Sequence, residues 1–107
     1  MSEKTTGQIE RRISKIKALL AVIGPMRPGS LTQQYKDPAA KTGPFWQLSY
    51  TRCMKSRTDY IRAEFVPEIA KQVAAYKHFK ELTDEWVDLS IELSKLKMKI
   101  DKEKGAS

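Results

Sequence analysis

Arg52, Lys55 and Arg57 crowd around a Cys53-Met54 pair in a stretch otherwise rich in Ser, Thr, Gln and aromatic residues. Cations gathered this way suit a polyanion, because each one that meets a phosphate releases a counterion condensed on it. Arg27, Lys36 and Arg62 lie in the same stretch and complete the set of candidate nucleic-acid contacts. Tyr35, Phe45, Trp46, Tyr50 and Tyr60 interleave with them. Such a mixture would also stack on unpaired bases, although Phe45 and Trp46 serve better as the large side chains that a small sheet needs for its core. The plainer reading of the same charges is a strand edge kept soluble.

Other chemistry finds less support. Cys53 as a nucleophile would need a base, and the single histidine, His78, falls on a different element with no acyl- or phosphoryl-transfer motif around it. The expectation is a protein that is not an enzyme and has no catalytic residues. One cysteine permits neither an intramolecular disulfide nor a cysteine-based metal cluster, and one histidine adds too little for a zinc site. No metal, cofactor or small-molecule substrate is expected, and the cytoplasm is the expected location. Glu81, Glu85, Asp88 and Glu92 recur at steps of four, three and four, which could present carboxylates to a divalent ion. They are better matched to Arg11, Arg12, Lys15 and Lys17 on an earlier helix, as charges that select how two helices pair.

These side chains need elements to hold them. Ile9, Ile13, Ile16, Leu20 and Ile23 alternate steps of four and three, the apolar seam of a coiled-coil helix. Thr5 and Gln8 can form a capping box at its start, and Gly24 followed by Pro25 offers a left-handed stop. This predicts helix 1 over 5–24. Residues 25–62 change character and hold most of the prolines, which predicts a basic β head with strands at about Ser30–Lys36, Phe45–Arg52 and Lys55–Ile61. Asp37–Gly43 reads as a polar loop and Cys53-Met54 as the turn of a tight hairpin. That turn pairs Arg52 with Lys55, Tyr50 with Arg57, Leu48 with Asp59 and Trp46 with Ile61, and turns Trp46, Leu48 and Ile61 inward.

From residue 63 to 104 a helical period returns through Val66, Ile69, Val73, Tyr76, Phe79, Leu82, Trp86, Leu89, Leu93, Leu96 and Ile100. Two consecutive steps of three around Phe79 shift the seam and predict two halves or a slight bend there. The second half, Leu82–Ile100, is expected to pair antiparallel with helix 1, and Val66–Phe79 to cover one face of the sheet. A second apolar line, Val87, Ile91 and Met98 with Ser94 in phase, runs beside the seam, and Leu19 and Val22 lie outside it on helix 1. One partner helix cannot cover both lines. A two-fold mate is therefore expected, with Val87, Ile91 and Met98 in a homodimer interface; the competing explanation is a long helix wrapped around an irregular monomeric core.

Composition agrees with this division. Twenty basic against 13 acidic residues give the 107-residue chain a net charge of +7, which favours polyanionic partners. Residues 27–62 carry seven basic and two acidic side chains, whereas residues 63–107 carry eight and nine. The longest apolar stretch, Ala18–Ile23, is far short of a membrane span, so no membrane partner is expected. The length suits a single domain over 1–107.

Arg27-Pro28-Gly29-Ser30-Leu31 with Gln34-Tyr35, then Gly43-Pro44-Phe45-Trp46 with Leu48-Ser49-Tyr50, then Arg57-Thr58 and Tyr60, resembles an uncharacterised family of small prokaryotic proteins. That family's pattern is RPGSL…QY…GP[YF]W-x-LSY…RT-x-Y followed by a helix, and the resemblance covers about residues 20–95. It is a domain of unknown function loosely associated with mobile genetic elements, and the resemblance implies no catalytic residues. Typical members carry a Cys-rich, Gly-rich loop between the QY and GP motifs, where this chain has only Lys36–Thr42, so no metal or redox role follows. They also place glycines at the hairpin turn. A type I′ turn needs positive φ at both central positions, which Cys53 and Met54 resist, and this leaves room for a wider turn and a slipped register.

The fold class expected is α+β, with an antiparallel helical coiled-coil stalk and a small three-stranded antiparallel β insert between a short N-terminal and a long C-terminal helix. The ligand class expected is nucleic acid, with DNA first, bound by an accessory protein linked to a mobile genetic element. The alternative is a protein–protein adaptor or assembly scaffold acting through the stalk.

Overall fold

The computed structural model describes residues 5–105, with side chains as far as Lys102, so the outermost residues of the 1–107 span lie outside the description. The protein is α+β. In chain order it has α1 (Thr6–Ala21), β1 (Ser30–Asp37), β2 (Thr42–Arg52), β3 (Lys55–Ile61), a 3-10 turn at Ala63–Phe65, and α2 (Val66–Gly105). The chain divides into two compact units. One consists of α1 and the residues of α2 from Phe79 onward, the other of Gly24–His78. The boundary falls at the seam shift predicted around Phe79, while α2 continues as one helix through it.

In the helical unit, α1 starts on the predicted capping box. Thr5 is extended, its hydroxyl accepts from the Gln8 N–H at 3.2 Å, and the Gln8 amide oxygen accepts from the Thr5 N–H at 3.0 Å. The helix ends earlier than its sequence suggests. Val22 takes φ −99° and ψ 0°, and the Val22 and Ile23 N–H groups donate to the Leu19 and Leu20 carbonyls, three residues back. Gly24 has no positive φ, so the predicted left-handed stop is corrected. Pro25 presses the residue before it toward extended backbone, and the tightened last turn satisfies carbonyls that a glycine cap would otherwise have taken.

The seam of α1 is what it buries. Ile9 and Ile16 are fully buried and Ile13 nearly so, in one cluster with Leu82 and Leu89 of α2. Leu20, Ile23, Trp86, Leu93 and Leu96 pack around it, as does Leu19, which was expected outside the seam; Val22 stays 80% exposed. Glu10, near the start of α1, reaches Lys97 at 3.4 Å, and Lys17, near its end, lies 5.4 Å over the Trp86 ring. Arg12 grips Glu85 with two bonds of 2.6 and 2.8 Å, so one member of the acidic stripe meets a cation of α1 as the charge pattern suggested.

In the other unit the strands form an antiparallel sheet in the order β1-β2-β3. Asp37 and Thr42-Gly43, read as loop ends, belong to the strands, and the turn is only Pro38–Lys41. Asp37 causes the shortening: its carboxylate accepts from the Ala40 N–H at 3.3 Å, a local bond that folds the chain back within four residues, with Lys41 and Gly43 in the left-handed region.

Register sorts the faces. Leu31 lies opposite Leu48 and Trp46 opposite Ile61, which puts Leu31, Tyr35, Trp46, Leu48, Tyr50, Asp59 and Ile61 on one shielded face. Leu48 is fully buried there, and every other member is half-buried. Val66, Ile69, Val73 and Tyr76 are half-buried at helical spacing in the first part of α2. The Arg27 N–H donates to the Gln72 carbonyl at 3.0 Å, tying this part of α2 to the chain entering β1. The other face of the sheet carries Thr32, Gln34, Ser49, Thr58 and Tyr60, all exposed.

Leu48 is the only fully buried apolar side chain described in the sheet unit, so Leu48→Ala should lower the free energy of unfolding by about 2–4 kcal/mol. Val22→Ala, at an exposed position, should stay within about 0.5 kcal/mol. Urea denaturation followed by circular dichroism measures both.

Candidate nucleic-acid interface

The β2–β3 connection is the two-residue turn the pairing required. Arg52 lies opposite Lys55, Thr51 opposite Ser56 and Tyr50 opposite Arg57, with no slip. Cys53 and Met54 adopt φ of 52° and 63°, the left-handed pair of a type I′ turn. For residues with a Cβ each such conformation costs about 1–2 kcal/mol. The wider turn considered from these residue types is thus absent, and the tip is held in a strained but tight form. Met54 is 98% exposed and Cys53 is exposed.

Side chains of β2 and β3 alternate, so Arg52, Lys55 and Arg57 project on the side of Leu48 and Asp59, beyond the shielded part of that face. All three are exposed, and among the described residues none has a salt-bridge partner. They form a compact cationic patch at the end of a two-stranded ribbon. A ribbon of this width fits a DNA major groove.

The other three predicted contacts sit differently. Arg27 holds Asp59 at 2.6 Å with its guanidinium 5.1 Å over the Tyr50 ring. Its bond to Asp59 is the main reason that carboxyl group titrates below the usual range; burial opposes it, and the Arg27 charge, the Tyr50 side chain and the nearby Arg57 charge add to the lowering. Arg62 meets Glu64 at 3.4 Å and covers the Phe65 ring at 5.0 Å. Lys36 is exposed on the opposite face, beside the other hairpin turn, roughly 30 Å along β2 from Arg52 at about 3.3 Å per residue. The structure therefore gathers Arg52, Lys55 and Arg57, places Arg27 beside them in an internal pair, and separates Lys36 and Arg62.

Gly29 makes this arrangement possible. It has φ +120°, and a Cβ there would come within 2.4 Å of the Ser49 carbonyl oxygen and 2.9 Å of the Tyr50 Cβ. Only glycine lets the chain before β1 lie this close to β2, which brings Arg27 to Tyr50 and Asp59. The Arg27–Asp59 pair was missed from sequence, although a signal existed: register puts an acid opposite Leu48 on the shielded face, and a carboxylate there needs a cation. On the exposed face Phe45 and Tyr60 form a tilted ring pair with centroids 5.9 Å apart, Tyr60 being 77% exposed.

Among the described residues no group of His, Cys, Asp or Glu is arranged to hold a metal ion, and no helix is long and apolar enough to cross a membrane. Comparison with protein-family models, curated proteins and solved structures finds no match to this chain.

Two measurements probe the site. Cys53→Asn with Met54→Gly should relax the turn and raise stability by about 1 kcal/mol in urea melts without changing the strand register. For Asp59 the folded-state carboxylate is favoured, so its stabilisation is complete above the unfolded aspartate range near pH 4 and is lost as pH falls through the lower folded value. Asp59→Asn should therefore destabilise at pH 6 and lose less of its remaining stability than the parent between pH 5 and pH 2, read from urea midpoints.

Proposed function

We propose that this chain is a non-enzymatic nucleic-acid-binding accessory protein that uses its basic β-hairpin against DNA. The observation that carries the reading is the tip itself. Arg52, Lys55 and Arg57 stand together, exposed and, among the described residues, outside any salt bridge, around a turn kept tight against the preferences of Cys53 and Met54. Residues held in sparsely populated backbone conformations cluster at functional sites. The ribbon enters a groove and its three cations meet phosphates. Lys36 adds a more distant contact, while Arg27 and Arg62, engaged with Asp59 and Glu64, contribute positive field and exchange partners only when a phosphate competes. Ser56, Thr58 and Gln47 supply neutral donors and acceptors along the ribbon.

The helical unit acts as a coiled-coil stalk that joins two copies through Val87, Ile91 and Met98, and the resemblance of the head to a family associated with mobile genetic elements adds a setting for the activity. A second reading has its own support. Val87, Ile91 and Met98 are 57, 50 and 63% exposed, and a chain acting as a protein–protein adaptor or assembly scaffold would use that apolar face for a different protein.

Binding of duplex, single-stranded and structured nucleic acids at several salt concentrations separates the two. Three phosphate contacts predict a slope of log affinity against log salt of about −2.7 on duplex DNA. Arg52→Ala/Lys55→Ala/Arg57→Ala should flatten it by about two to three while leaving stability almost unchanged, because exposed charges contribute little to folding. Absence of salt-sensitive binding to any nucleic acid at about 50 mM salt would transfer the function to the adaptor reading.

A further inference from the structure

Phe45 and Tyr60 lie on the exposed face of the sheet, away from the side on which Arg52, Lys55 and Arg57 project. They stand diagonally on neighbouring strands, Tyr60 being opposite Gln47, and their rings meet at 57° with centroids 5.9 Å apart. A tilted contact leaves ring faces open where a stacked one would cover them, and Tyr60 is 77% exposed. A ring standing so far out of a small sheet adds little to its core.

Around this pair the face offers hydrogen-bonding groups and cations. Thr32, Gln34, Ser49 and Thr58 are exposed and Gln47 is half-buried. The two acids of the strands, Asp37 and Asp59, alternate to the other side. Lys36 falls opposite Gly43, one row from Phe45, and its stem lies across that glycine: a Cβ on Gly43 would come within 3.0 Å of the Lys36 Cβ and 3.2 Å of its Cγ and Cδ. Arg62 continues β3 in extended backbone, with φ −67° and ψ 146°, and so alternates onto the same side as Tyr60. Its pair with Glu64 at 3.4 Å is exposed on both sides and holds it only weakly.

The occupant of such a face stacks on a ring, exchanges hydrogen bonds with amides and hydroxyls, and carries negative charge. A neutral sugar polymer meets the first two conditions and not the third. A duplex keeps its base faces inside its own stack, whereas an unpaired stretch of nucleic acid offers bases and phosphates together. We infer that the exposed face of the sheet is a second site, separate from the tip, that binds single-stranded nucleic acid. Tyr60 stacks on an unpaired base and Phe45 fixes the angle of its ring. Lys36 and Arg62 meet the phosphates, and Gln34 and Gln47 stand beside the base edges. This gives Lys36 a use on the face where it lies, far from the tip. The site does not depend on the duplex contact of the tip, and either can fail without the other.

Fluorescence anisotropy of labelled decathymidylate with the full chain at about 50 mM salt tests the site, under reducing conditions because Cys53 is exposed. The chain should bind this oligomer and bind an abasic strand of equal length and charge at least about fivefold more weakly, the lower end of what one base stacked on an aromatic ring contributes. Tyr60→Ala should lose at least about fivefold on decathymidylate for the same reason, with a urea midpoint near that of the parent, and Tyr60→Phe should keep the affinity because the stack needs the ring and not the hydroxyl. Lys36→Ala should flatten the slope of log affinity against log salt by about 0.7. Duplex binding should not change in Tyr60→Ala; an equal loss there overturns the separation of this face from the tip. Equal affinity for the abasic strand, or a Tyr60→Ala variant that binds decathymidylate as the parent does, overturns the stacking site and leaves the duplex contact of the tip in place. Tyr60-dependent binding of cellohexaose with none of decathymidylate overturns it in favour of a carbohydrate.

Discussion

A helix of 16 residues in water is marginal by itself, since its first turn fixes several dihedrals for a single hydrogen bond. What holds α1 is the burial of Ile9, Ile13 and Ile16 against Leu82 and Leu89, the apolar cluster of the helical unit. Fully burying each of these side chains is worth about 1.5–3 kcal/mol, well beyond any propensity difference along α1. The polar contacts across the same pair have another part. Arg12 on Glu85, Lys97 on Glu10 and Lys17 over Trp86 are all partly exposed, where ion pairs add little free energy. Their effect is selective, because a slip of one turn would separate each from its mate.

The sheet unit has a smaller apolar core and leans more on backbone geometry. Leu48 is buried at its centre, while Gly29 lets the incoming chain press on β2 at a distance no other residue allows. Arg27 is thereby brought to Asp59 and Tyr50, and the one acid on the shielded face is neutralised internally. That neutralisation matters for the tip. With Asp59 already matched, Arg57 and its neighbours Arg52 and Lys55 keep their charge facing outward, in a sheet whose other described acid, Asp37, sits at the opposite turn.

Periodicity made most of this architecture legible. The seams of α1 and α2 and the pairing from Trp46–Ile61 to Arg52–Lys55 could be read directly, because apolar steps of three and four or of two leave few alternatives. Boundaries were harder. Gly24 looked like a left-handed cap, but Pro25 overrides it, and Asp37 and Gly43 looked like loop until a single side-chain bond from Asp37 shortened the turn. The candidate site was legible as composition and only partly as geometry. The six candidate cations, read as types along the sequence, do not reveal that Arg27 and Arg62 have internal partners, or that Lys36 faces away from the tip. Those facts depend on contacts remote in sequence, and only register exposes them.

The order of elements along the chain also bears on how the molecule folds. The strands close through turns of four and two residues, so sheet contacts form between near neighbours. The apolar cluster of the helical unit joins residues on either side of the whole segment Gly24–His78. Closing a flexible loop of that length costs on the order of 3–4 kcal/mol in chain entropy. Once the intervening segment has its own structure it no longer counts as loose chain, and the two ends meet from a much narrower ensemble. Loss of order between Gly24 and His78 would therefore raise the entropic barrier to docking α1, even though none of the residues that α1 buries would have been touched.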